Sequence, residues 1–165
     1  MSLGRHLQRY PRVLERMYFA ARTLVLWLAP LLKRLGLERV EPWIRRPEEW
    51  GKRWIFDCQM CGQCVLHSTG MTCPMTCPKN LRNGPCGGVR AGGGCEVAPN
   101  TPCIWVQAFN RSQRMGKHAN DLMILQLPLD YRLKGSSAWV NMITQGDQQL
   151  PADWKSADES PRRPS

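Results

Sequence analysis

Eight cysteines, Cys58, Cys61, Cys64, Cys73, Cys77, Cys86, Cys95 and Cys103, sit in one block near the middle of this 165-residue chain, and the flanks hold none. Inside that block the stretch CPMTCPKNLRNGPCGG, residues 73–88, carries three cysteines, three prolines and three glycines. No regular helix or strand tolerates that density of breaking residues. With 14 Gly and 13 Pro overall, the chain can bury only a modest apolar core. The thiols are therefore the staple that decides what this chain folds into.

Four disulfides or a metal would both use an even count. The longest apolar run, TLVLWLAPLL, begins at Thr23, well inside the chain, and no small-residue cleavage site follows it. That does not fit a secretory leader, so a reducing cytoplasmic compartment and a metal are expected. The same run is about half the length that a membrane span requires. No spanning helix is expected.

The segment CQMCGQC is a C-x2-C-x2-C triplet, a spacing that lets three thiolates converge on one metal cluster from a single looping turn. Zinc sites more often use separated C-x2-C pairs. In bacterial-type ferredoxins the triplet supplies three corners of a four-iron cluster and a distant Cys-Pro supplies a fourth. Two such steps are present, Cys73-Pro74 and Cys77-Pro78. Eight thiolates suit two [4Fe-4S] clusters, the alternatives being one cluster plus one zinc, or two zincs.

Spacing leaves open whether Cys73 or Cys77 joins Cys58, Cys61 and Cys64, the other joining Cys86, Cys95 and Cys103. Ligation interleaved along the chain would explain the lack of a linker. Gly62, Gly84, Gly87, Gly88 and the run 92–94 are expected either to donate N–H bonds to sulfide or to form tight turns. Lys79, Arg82 and Asn83 suit an acidic partner or a phosphate-bearing flavin at an interface, or plain solvation. His67 lies between Cys64 and Cys73, but eight thiols leave no need of it as a ligand, and His6 and His118 lack ligand-like neighbours.

On the N-terminal side, Leu14, Met17, Tyr18, Ala21, Leu24, Val25, Leu28, Leu31 and Leu32 recur at helical spacing, predicting an amphipathic helix over 12–35, with Pro30 inside it and RLG ending it. Its stripe suits packing on its own domain or on a partner, and its arginines with Trp27 also suit peripheral contact with an anionic membrane. Residues 36–57 read as a connector with two prolines and three tryptophans, Trp43, Trp50 and Trp54, placed to cover a small core or dock a partner. Thus 1–57 forms a partner-docking arm and 58–110 the metal block. A C-terminal helical segment follows over 111–150, with helices from Ile104 to Gly116 and around SSAWVNMITQG, the latter capped by Ser136 or Ser137. Residues 151–165 form a polar tail expected to be disordered. The fold expected is a small irregular metal-nucleated domain, mostly α plus loops.

The net charge of +10 raises the possibility of nucleic acid. It divides as 12 Lys/Arg against 6 Asp/Glu over 1–57, 3 against 1 over 58–110, and 8 against 6 over 111–165. The basic excess avoids the metal block, which disfavours a zinc-ribbon nucleic-acid binder. No phosphate loop, nucleophile elbow, carboxylate pair or Cys/His dyad is present. The chain reads as an electron carrier or a structural subunit without catalytic residues of its own.

The block from CQMCGQCVLHSTGMTCPMTCPKNLRNGPCGGV through GGGCEVAPNTPCIWVQAFNRSQRMG, with the later SSAWVN, resembles the methylenetetrahydrofolate reductase C-terminal domain family over roughly residues 55–145. Its members include a small iron-sulfur subunit that accompanies a flavin-bearing barrel subunit. The resemblance implies a metal subunit ligated by the eight cysteines, a partner carrying FAD or FMN, and electrons from a ferredoxin or nicotinamide-linked donor. No flavin or folate residue carries over, because those belong to the barrel subunit.

Overall fold

The computed structural model describes residues 6–149; the tail expected to be disordered, 151–165, lies outside them. Helix α1, Pro11–Leu35, follows the predicted periodicity. Pro11 stands in its first turn, where a missing N–H leaves no bond unmade. Lys33 and Arg34 in its last turn face the negative end of the helix dipole, and Gly36 ends it.

The expected connector is a second helix, α2, Leu37–Phe56, which runs through Pro42 and Pro47. Each proline removes only its own helix N–H, and both lie on the exposed side. The amphipathic pattern of α2 is inverted. Glu48 and Lys52 face inward and are buried, while Trp43 and Trp50 are 77% and 74% exposed. Trp50 and Trp54 stack on each other, ring centroids 6.3 Å apart, and do not cover the core as expected. A charged inward face hides this helix from any search for apolar periodicity.

Gly36 alone joins α1 to α2, and the Gln8 side-chain amide donates to the Ile55 carbonyl at the opposite end. The two helices therefore form an antiparallel hairpin. Its base packs on the cysteine block: Leu14, Phe56, Leu66, Met71, Cys73, Met75 and Met115 make one buried cluster. Full burial of such a side chain stabilises by about 1.5–3 kcal/mol each. Nearer the tip, Leu24, Trp27, Leu31 and Leu35 of α1 remain exposed.

Helix α3, Ile104–Ser112, starts directly after Cys103 and buries Trp105 and Ala108. It ends before the expected Gly116, and Phe109, expected on its apolar face, is 53% exposed. Helix α4, Ala138–Thr144, is capped by Ser137, whose Oγ accepts from the Val140 N–H at 3.3 Å. Between α3 and α4 the expected helical segment is mostly loop, with single 3-10 turns at Ala119–Met123 and Tyr131–Leu133. Among the described residues there is no β-strand, only the isolated pairing of Gly94 with Pro102. No described helix is long and apolar enough to cross a membrane.

Candidate metal centres

None of the eight cysteines forms a disulfide. Their thiols sort into two sets of four. Cys58, Cys61, Cys64 and Cys73 line one cavity of about 20 Å³, and Cys77, Cys86, Cys95 and Cys103 line a second of about 250 Å³. Among the described residues no three His, Cys, Asp or Glu side chains are gathered tightly enough to hold one ion. The division is sequential, with Cys73 on one side and Cys77 on the other. The single 3-10 turn at Pro74–Thr76 lies between the two Cys-Pro steps.

The inner set is buried and electrostatically unusual. A hydrogen bond between Cys58 and Cys73, together with burial, pushes the Cys58 pKa up and, through the same bond, the Cys73 pKa down. Burial raises Cys61, with Cys64 and Cys58 adding and Arg82 opposing. Lys52 is buried on the cavity wall, its Nζ 2.6 Å from Glu48 Oε1. Burial alone would lower its pKa, but the Cys64 and Glu48 charges outweigh it and push it up. A permanent cation thus faces four thiols in a low-dielectric setting.

The outer set is more accessible. A tight loop carries it, fastened by Cys95 N–H to Thr101 O at 2.9 Å and Cys103 N–H to Gly93 O at 2.9 Å. Cys86 is exposed, and the Gly88 N–H and the Lys79 ammonium lower its pKa. Lys79 pairs with Glu96, whose Oε1 accepts from Cys86 Sγ at 3.5 Å. Glu96 escaped the sequence reading, although a signal existed: it is the sole acid among residues 58–110.

Backbone amides two residues ahead are bonded to several of these sulfurs. The Met60 N–H lies 3.4 Å from Cys58 Sγ and the Gly88 N–H 3.4 Å from Cys86 Sγ, while the Met75 amide bonds Cys73. Such bonds stabilise thiolates over thiols. Four thiols per cavity, amide donors to sulfur and a cation beside each set make a donor chemistry that fits a thiolate-ligated metal group.

The C-terminal segment grips the CQMCGQC triplet from outside. Gly135 N–H donates to Met60 O at 2.7 Å, and Asn141 Nδ2 donates to Gly62 O at 2.9 Å. Gln63, almost fully buried, accepts the Asp130 N–H on its Oε1 at 2.8 Å and receives Arg82 Nη2 on its carbonyl at 3.1 Å. The SSAWVN stretch is thus part of the cage around the inner set. Gly62 is close to the Leu133 backbone, where a Cβ would collide, so packing by itself demands a glycine there. Arg82 and Asn83 are likewise structural in part: Arg82 Nε donates to Leu127 O at 3.0 Å, and Asn83 exchanges two 2.8 Å bonds with the Gln126 backbone. His67 stands apart from both sets, stacked on Tyr18.

The model of one protein family, described as methylene-tetrahydrofolate reductase C terminal, matches residues 38–132. That range takes in all but the first residue of α2 and all eight cysteines, and it ends before α4. No curated protein and no solved structure matches the chain.

Proposed function

Because the chain belongs to the methylene-tetrahydrofolate reductase C-terminal family, we propose that it is the iron-sulfur subunit of a methylenetetrahydrofolate reductase-like complex. In this reading it holds two [4Fe-4S] clusters and relays electrons to or from a flavin, FAD or FMN, on a barrel-shaped partner subunit in one-carbon metabolism. The observation that carries the reading is the division of eight thiols into two sets of four, each lining its own cavity. A bound cluster supplies one-electron oxidation and reduction.

The chain's own residues do the rest. The eight thiolates hold the metal, and the Met60, Met75 and Gly88 amides donate to sulfur. Lys52 offsets negative charge at the inner set and Lys79 at the outer. With Cys86 exposed, the outer set is the natural side for a ferredoxin or nicotinamide-linked donor. The α1–α2 hairpin offers Leu24, Leu31, Trp43 and Trp50 as exposed apolar anchors for the barrel subunit.

Anaerobic purification with iron and sulfide counting tests the proposal. About eight irons and eight sulfides per chain, bleached by a low-potential donor, are expected. Zinc without sulfide would sink it. A second reading, a structural metal subunit that stabilises a partner enzyme without redox work, draws support from the tight enclosure of the inner set. Bound iron and sulfide that neither reduce nor oxidise the partner flavin would favour that reading.

A further inference from the structure

Four buried side-chain polar atoms among the described residues lack a hydrogen-bond partner: Arg45 Nε, His67 Nδ1, Arg82 Nη1 and Asp147 Oδ1. Three of these four residues, His67, Arg82 and Asp147, line the same cavity, of about 270 Å³. A liquid water occupies about 30 Å³, so this space exceeds what one water fills. An unpartnered buried donor or acceptor is costly in isolation, and three around one space point to something that satisfies them together.

The fourth polar wall is Arg22 of α1. Among the described residues its guanidinium makes no hydrogen bond or ion pair, and it rests 5.9 Å from the centre of the Phe19 ring. Arg82 is held rigidly by its Nε bond to Leu127 O and its Nη2 bond to Gln63 O, which leaves Nη1 as its free arm. Two guanidinium groups face one carboxyl across this space, with the Cys64 sulfur also on its wall. The imidazole of His67 is fixed by Tyr18 and Phe19, ring centroids 6.0 and 6.5 Å away.

We propose that this cavity binds a small organic anion that presents one carboxylate or phosphate to Arg22 and Arg82 and a neighbouring O–H or N–H donor to Asp147. Guanidinium forks match either oxyanion geometrically. His67 Nδ1 takes the remaining bond, as donor or acceptor according to its tautomer. The site adjoins the inner thiol set through Cys64, which lines both cavities. It rests on the walls of the cavity alone and stands whichever metal the thiols hold.

The test is calorimetric titration of the full, anaerobically purified, metal-loaded chain with inorganic phosphate and, separately, with glycolate at low ionic strength. Saturable binding of either probe that weakens about tenfold or more in Arg22→Gln and severalfold in His67→Ala supports the site. Which probe binds tells phosphate chemistry from carboxylate chemistry. Arg22→Gln removes no hydrogen bond among the described residues, so its iron content and unfolding temperature should match the native chain. Lys33→Gln, on the same helix outside the cavity, should bind as the native chain does. Absence of saturable binding by both probes up to about 10 mM overturns the proposal, as does undiminished binding in Arg22→Gln. If neither probe binds and Arg22→Gln instead weakens capture of the partner subunit, the cavity receives a partner side chain and the proposal fails. None of these results alters the iron and sulfide count, so failure here is separable from failure of the cluster assignment.

Discussion

Ser137 Oγ donates to Glu48 Oε2 at 2.5 Å, a buried bond between residues 89 positions apart. The same carboxylate takes Lys52 Nζ on its other oxygen at 2.6 Å, and the Ser137 N–H goes to Glu41 Oε1 at 3.0 Å. The inward charges of α2 thus clamp the N-cap of α4 while holding a cation beside the inner thiols. Glu48→Ala leaves Lys52 buried without its partner, and a broken buried pair costs about 3–5 kcal/mol. Ser137→Ala loses one buried bond and the cap, about 1–3 kcal/mol. Denaturant unfolding of both variants, with metal content held equal, checks the order.

The sequential division of the thiols predicts a pattern of losses. Cys58→Ser and Cys73→Ser should each remove about half of the bound iron, and the double variant no more than that. Cys58→Ser combined with Cys77→Ser should remove nearly all of it. Equal loss from both double variants would mean that the cavities do not act as separate sites.

Gly70 stands at φ 61°, and a Cβ there would strike the Ala108 carbonyl and the Ser112 amide of α3. Gly70→Ala therefore forces α3 away from the cysteine block, with a cost of about 1–3 kcal/mol from overpacking and more from the left-handed backbone. Gly84→Ala, with open space around it, should feel only its backbone strain. Thermal melts of the two variants give the difference directly.

Burial first, then the Arg22 charge, lowers the pKa of His67 from its ordinary 6.5. The unfolded chain then binds a proton at this site where the folded chain does not. Stability from this residue is present above about pH 6.5 and is lost as pH falls through the lowered folded value. His67→Phe removes that loss. Unfolding midpoints at neutral and mildly acidic pH should fall more for the native chain than for the variant.

Exposed Leu24 and half-buried Leu28 of α1 give a prediction about assembly. Leu24→Asp with Leu28→Asp should abolish co-purification with the barrel subunit while iron content stays unchanged. Retained co-purification would move the docking surface elsewhere, the tryptophan side of α2 being the next candidate.

The helix α1 was legible in the sequence because its apolar spacing is local and its ends carry their own punctuation, Pro11 and Gly36. The cap at Ser137 and the lack of regular structure around Cys73–Gly88 were legible for the same reason. Helix α2 was not, since its prolines read as breakers and its inward face carries Glu48 and Lys52, whose burial is possible only once those charges are paired. The triplet and family pattern likewise pointed to eight cysteines as one functional group, and a match over residues 38–132 bears out the family.

Only the tertiary structure decided which thiols share a cavity, because spacing limits how near two cysteines can come but not the direction in which an intervening turn aims them. It alone brought Lys52 to the inner set, Glu96 to the outer set, and Arg22, His67, Arg82 and Asp147 around one space. Charge pairing and cavity formation depend on contacts between distant segments, and composition and periodicity carry no record of them. Cysteine count and helix periodicity are properties of the chain as written, so the sequence by itself determined a cysteine-rich, mostly helical domain with loops.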